Sequence, residues 1–234
     1  MQGYKDKIKE IIKKFNINIE KLEQEQIKLA KLLKLKDIIN FELTTRLAGC
    51  ANAYFNNHIV SAIIVLDENM EIVEQKYVEE KLKFPYIPGF RAYRELPAMV
   101  ACFNKLEEKP DVIFVVGHGI SHPRLGLASH FSLATGIPTI GIAQNLIEQV
   151  EVREGKLMLN GKIVGEEILT KFGSNPIYIS PGNMISLNTA SELVKKFIKA
   201  PHKLPEPLIQ ARKYAKKIAD ELSISSKKSS NNLQ

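Results

Sequence analysis

The chain predicts an α/β fold, and three stretches carry the prediction. Val112-Ile113-Phe114-Val115-Val116 is apolar throughout, as a strand covered on both faces of a sheet must be. Residues 124–135 fit a helix closed by Gly136, and Pro138-Thr139-Ile140-Gly141-Ile142-Ala143 fits the next strand. Strand, helix and strand in succession imply a parallel pair with its crossover. Upstream, residues 47–54, 59–66 and 70–77 read as short strands joined by Asn56-Asn57 and Asp67-Glu68-Asn69, both good turn sequences, so an antiparallel meander precedes the parallel part.

The other elements follow in order. Ile8, Ile11, Ile12 and Phe15 repeat at helical spacing, and Ile27, Leu29, Leu32, Leu33 and Leu35 give a second apolar face, which predicts two N-terminal helices. Residues 93–106 read as a helix interrupted early by Pro97 and stopped by Lys109-Pro110. Residues 156–160 and 162–166 flank Gly161 as a hairpin, 176–180 add one strand, and 190–199 and 207–222 are helical. A hydrophobic content of 44% in 234 residues suffices for one core, so residues 1–222 are expected to form a single domain. Residues 223–234, with Ser225-Ser226-Lys227-Lys228-Ser229-Ser230, offer almost nothing apolar to bury and are expected to be a disordered tail.

Charge and composition narrow the partners. Lys plus Arg exceed Asp plus Glu by 33 − 26 = 7, a balance that favours polyanions through phosphate attraction and counterion release. No apolar run reaches the length of about 18 residues that a membrane span needs, and the lysine-rich start lacks a signal-peptide core. A soluble, cytoplasmic protein with no membrane partner is the expectation. Cys50 and Cys102 lie in apolar segments without CxxC spacing, which indicates buried thiols rather than a disulfide or zinc site.

Two segments have the character of a nucleic-acid site. In Phe84-Pro85-Tyr86-Ile87-Pro88-Gly89 the prolines hold an extended loop around an aromatic and apolar tip, while Gly89 lets backbone approach a ligand. Such a tip can wedge between bases, exchanging stacking for contacts to the displaced nucleotide. Gly117-His118-Gly119-Ile120-Ser121-His122-Pro123-Arg124 begins just beyond the carboxyl end of a predicted parallel strand, where open α/β sheets place ligands. Arg124 and the first amides of the following helix are suited to phosphate.

Together with Tyr93-Arg94-Glu95-Leu96-Pro97-Ala98 and Gly126-Leu127-Ala128-Ser129-His130, these segments resemble endonuclease V, a metal-dependent family that cuts strands near deoxyinosine or inosine. The resemblance spans about residues 43–222, and Leu204-Pro205-Glu206-Pro207 fits its C-terminal pattern. It implies an RNase H-like mixed sheet, three antiparallel strands plus parallel strands, flanked by helices. It also implies a strand-separating wedge at Pro85, Tyr86, Ile87 and Pro88. Gly89, Gly117, Ile120 and His122 are implied to line a hypoxanthine pocket, with Gly119 and Arg124 beside it, and DNA or RNA is the implied partner.

The cutting chemistry is where the sequence departs from that family. Phosphodiester hydrolysis by Mg²⁺ or Mn²⁺ needs carboxylate ligands. The resemblance implies an acid on the first strand, where this chain has Ala51, a second acid retained as Glu95, a third where Val116 stands, and a histidine where Asn183 stands. Gln144 replaces an expected lysine, and Asn52, next to Ala51, is expected on the opposite face of its strand. Glu95 alone remains as a metal ligand. Three readings stand: a nucleic-acid-binding protein that has lost cleavage and needs no cofactor; an active Mg²⁺-dependent enzyme acting in DNA repair or on inosine in RNA through Glu95; and a non-enzymatic scaffold.

Overall fold

The structure is a computed structural model describing residues 2–171 and 173–231. Its N-terminal helices are α1 (Gln2–Lys14) and α2 (Ile19–Ala30). The second starts where the Asn18 side chain accepts the amide of Lys21, a side-chain cap, so Leu32, Leu33 and Leu35 of the expected apolar face fall beyond its end. The meander comprises β1 (Leu47–Phe55), β2 (His58–Leu66) and β3 (Ile72–Lys81). β3 starts later than the spacing predicts because Asp67 Oδ1 accepts the amides of Asn69 and Glu71 and holds Met70 in the turn.

Then follow α3 (Arg91–Phe103), β4 (Val112–Val116), α4 (Leu127–Thr135) and β5 (Thr139–Ala143). The hairpin region holds β6 (Glu151–Arg153), β7 (Lys156–Leu159) and β8 (Lys162–Ile168); β9 (Ile177–Asn183), α5 (Leu187–Lys196) and α6 (Glu206–Asn231) complete the chain. α6 runs past the expected end at residue 222 into the segment read as a disordered tail. No Gly or Pro follows Pro207 to stop it, and polar Ser and Lys positions prolong a helix whose start is anchored. Residues 232–234 lie outside the described part.

One mixed sheet runs in the order β3-β2-β1-β4-β5-β9-β8-β7-β6. β1 is antiparallel to β2 and parallel to β4, and β4 is parallel to β5, so meander and crossover join at β1 as the sequence pattern requires. Alternation along the strands sorts side chains onto two faces. Ala48, Cys50, Ile113 and Val115 pack under α3 and α4, while Leu47, Val112 and Phe114 pack under α5 and α6. Cys50 and Cys102 are buried and unbonded. Gly49 admits α6: a Cβ there would lie 2.0 Å from the Pro207 carbonyl oxygen. Among the described residues no helix is long and apolar enough to cross a membrane.

Candidate functional site

The Pro-framed loop and the Gly-His loop meet at the carboxyl ends of β1 and β4. Between them lies a cleft of about 690 Å³ bordered by Tyr86, Pro88, Gly89, Arg91, His118 and His122, together with Asn145 and Gln149. Tyr86 is 55% exposed, whereas Ile87 is 3% exposed. The expected wedge therefore divides. Tyr86 and Pro88 form the outward tip, and Ile87 is its buried anchor, because an apolar side chain between two outward neighbours turns into the core. Pro85 lies partly buried behind them.

Gly89 adopts φ +80°, a turn conformation that favours glycine, and a Cβ there would stand 2.8 Å from a terminal nitrogen of Arg124, whose guanidinium would have to move. Its carbonyl accepts Gln26 Nε2 at 3.1 Å, and Gln26 Oε1 accepts Arg124 Nε at 2.7 Å. Glu23 pairs with Arg124 at 2.9 Å, and the guanidinium lies over the Phe90 ring. Arg124, read as a free phosphate ligand at a helix start, is instead tied to α2. The helix α4 starts three residues later, and its early amide at Ala128 donates to the His118 carbonyl. Glu23 and Gln26 were not legible as site residues, since a polar residue on an amphipathic helix carries no signal of what it faces.

His122 Nδ1 accepts the amides of Arg124 and Leu125, each at 3.2 Å, which places the proton of the neutral ring on Nε2, on the side of Gly89. Burial first, then the Arg124 charge, pushes the His122 pKa down to about 4. Burial and Arg91 do the same for His118, also to about 4. Both rings are neutral near pH 7. His118 Nδ1 pairs with Ser121 Oγ, which bonds Ser180 Oγ, which accepts the Gly119 amide. Neither Gly117 nor Gly119 borders the cleft. Ile120 is turned away altogether, packed against the hairpin residues Val150, Leu157, Leu159 and Val164.

Glu95 lies on α3 at 2% exposure. Its Oε1 accepts Arg91 Nε at 2.5 Å, one helical turn earlier, and its Oε2 accepts Asn52 Nδ2 at 2.8 Å. The i, i+4 spacing of Arg91 and Glu95 is a signal the sequence does offer. Burial lowers the Arg91 pKa, but the Glu95 carboxylate outweighs it and the net direction is upward. The Tyr54 phenol is raised by burial and by the same carboxylate. Asn52 does point to the face opposite Ala51, and that face is the one that carries Glu95.

Ala51 and Val116 stand side by side in the register that pairs Cys50 with Val115, and they face α6. There they pack with Ile64, Leu66, Ala211 and Tyr214. Asn183 does not join them: it pairs with Thr139 at the start of β5, whereas Val116 pairs with Ile142 near its end. Asn183 Oδ1 accepts the Lys34 amide at 2.7 Å and fastens the chain after α2. Its assignment to a catalytic-histidine position fails for this reason, since it lies at the far end of the strands.

A divalent cation does not fit this arrangement. Both Glu95 oxygens are engaged by cationic or amide donors, and Ala51 and Val116 supply no oxygen donor from their side chains. Among the described residues no group of three or more His, Cys, Asp and Glu side chains is placed to hold a metal.

Residues 27–213 match a family model described as Endonuclease V. Over 206 residues the chain is 37% identical to the endonuclease V of Thermosipho melanesiensis, covering 83% of this chain and 90% of the relative. The crystal structure of the Bacillus subtilis endonuclease V is similar at a TM-score of 0.83 and 27% identity, over 90% of this chain and 96% of that one. The Ciona intestinalis endonuclease V, solved in complex with a 24mer DNA containing an inosine followed by a ribo-adenosine, shares the fold at a TM-score of 0.79 and 24% identity, over 87% and 98% of the two chains.

Proposed function

The chain belongs to the endonuclease V family, and from that premise we propose that it binds nucleic-acid strands carrying deoxyinosine or inosine without cutting them. The base enters the cleft between Tyr86 and His122. Tyr86 takes the place of a stacking neighbour, and the neutral His122 ring offers its Nε2 proton to an acceptor on the base edge. Buried, neutral donors suit a neutral base better than a charged pocket would. That the fold holds inosine-containing DNA in the Ciona protein supports the choice of ligand.

The observation that carries the loss of cleavage is the state of Glu95, the retained family acid, with one oxygen on Arg91 and the other on Asn52. A carboxylate held so is a structural ion pair. Each oxygen already accepts a hydrogen bond, and among the described residues it lacks the acidic neighbours that a hard cation requires. The test incubates the protein with inosine-containing and matched DNA and RNA, with Mg²⁺ or Mn²⁺, and scores binding and nicking together. Inosine-selective binding with intact strands is the expected result. Family membership favours a second reading, an active metal-dependent endonuclease using Glu95. Metal-dependent nicking that Glu95→Gln abolishes would establish it and sink the first.

A further inference from the structure

We propose that the groove between α2, α3 and α4 binds a small, uncharged, largely apolar molecule through one hydroxyl group, which donates to Nε2 of His130. The groove measures about 530 Å³, within the range of roughly 300–1,000 Å³ usual for small-molecule sites. Leu29 of α2, Tyr93, Leu96 and Val100 of α3, and Leu133 and Ala134 of α4 line it. Neither Tyr86 nor His122 borders it, so the site stands apart from the base cleft and does not depend on strand binding.

One polar group marks this apolar surface. His130 borders the groove at 5% exposure, and its Nδ1 lies 3.1 Å from the Gly126 carbonyl oxygen, one helical turn earlier. A carbonyl oxygen only accepts, so Nδ1 carries the proton, and burial lowers the pKa of the ring and keeps it neutral. Nε2 is then an acceptor. It is buried and has no hydrogen-bond partner. The ring of Tyr93 stands edge-on to the imidazole at 5.8 Å, but its hydroxyl is engaged by the Leu22 carbonyl at 3.1 Å and is not available as the donor. A buried acceptor left in this way is destabilising, and a hydroxyl delivered through the groove relieves it.

The lining also selects the rest of the ligand. Glu25 is the charged side chain among the described residues of the groove, and it repels an anion. A cation would lose its hydration among Leu29, Leu96 and Leu133 with no buried carboxylate to receive it. A neutral body remains, and the rings of Tyr93 and His130 favour an aromatic one.

The test titrates the full chain calorimetrically at neutral pH with 2-naphthol and with 2-methoxynaphthalene, which has the same rings but no proton to donate. One equivalent of 2-naphthol should bind, roughly fivefold or more tightly than the ether, the difference that one buried hydrogen bond makes. Ala134→Trp, at an exposed position of α4 where a larger side chain fills the groove, should weaken both probes about tenfold or more. His130→Phe should keep the ether and erase the preference for naphthol; should its unfolding curve show that it does not fold, the wild type and Ala134→Trp decide alone. Equal affinities of the wild type for the two probes, or binding that Ala134→Trp leaves unchanged, overturn the proposal. So does a wild type that binds neither, including one whose groove is covered by a second copy of the chain, which sedimentation would show as a dimer.

Discussion

The cleft beside Tyr86 and the region of Glu95, Ala51 and Val116 are built in opposite ways. In the cleft, polar groups are braced from behind and left with a free donor toward the opening: His122 spends Nδ1 on backbone amides and keeps Nε2, and Tyr86 is anchored through buried Ile87. Around Glu95, Ala51 and Val116 every group is turned inward. Glu95 accepts from Arg91 and Asn52, one on each oxygen, and Ala51 and Val116 belong to the hydrophobic contact with α6. The Ala51–Val116 contact rests on α6 and the cleft on α2 with the Gly-His loop, while α3 carries Arg91 and Glu95 between them.

The comparison breaks most directly at Ala51. If its surroundings are now core, Ala51→Asp should destabilise the fold by about 3–5 kcal/mol, the cost of an unpaired buried charge, read from the urea midpoint. A cost under about 1 kcal/mol, or a midpoint that Mg²⁺ restores, would mean the position still serves a cation.

A pH titration probes the cleft side. His118 and His122 have folded pKa values near 4 against an ordinary value of 6.5, so below pH 6.5 the unfolded chain takes up protons that the folded one refuses. Their contribution to stability is complete above pH 6.5, is lost progressively as pH falls toward 4, and is worth about 1.4 kcal/mol for each pKa unit before solvent screening. H118Q/H122Q should flatten the stability profile across that window. A profile as steep as wild type would show that burial of these rings is not its source.

The smallest expected effect is at the tip. Tyr86→Ala should weaken binding to an inosine strand by about 1–3 kcal/mol, roughly 5- to 150-fold, and leave stability unchanged because the side chain is 55% exposed. Equal losses for the inosine strand and plain duplex would take the wedge role away from Tyr86.

Much of this molecule is legible in its sequence. The apolar run 112–116, the turn pairs of the meander and the closing Gly136 determine a mixed α/β sheet, because strand burial, turn chemistry and helix capping are local properties. Tyr86, Gly89 and His122 could be picked out as parts of one candidate site, and they do border one cleft, since proline framing and glycine both constrain the backbone where they stand. The absence of acids at Ala51 and Val116 is likewise a fact of composition. Direction and partnership are different. The packing of α2 decided that Arg124 is clamped by Glu23 and Gln26, the pleat of β1 decided that Asn52 meets Glu95, and strand register decided that Asn183 sits at the wrong end of the sheet. Each depends on residues between 43 and 149 positions apart, a separation across which one chain carries no local pattern, so only the folded structure could settle what they touch. α6 extends the same lesson: its lysines are visible as charge, and the tertiary structure alone aligns them beside Asn52.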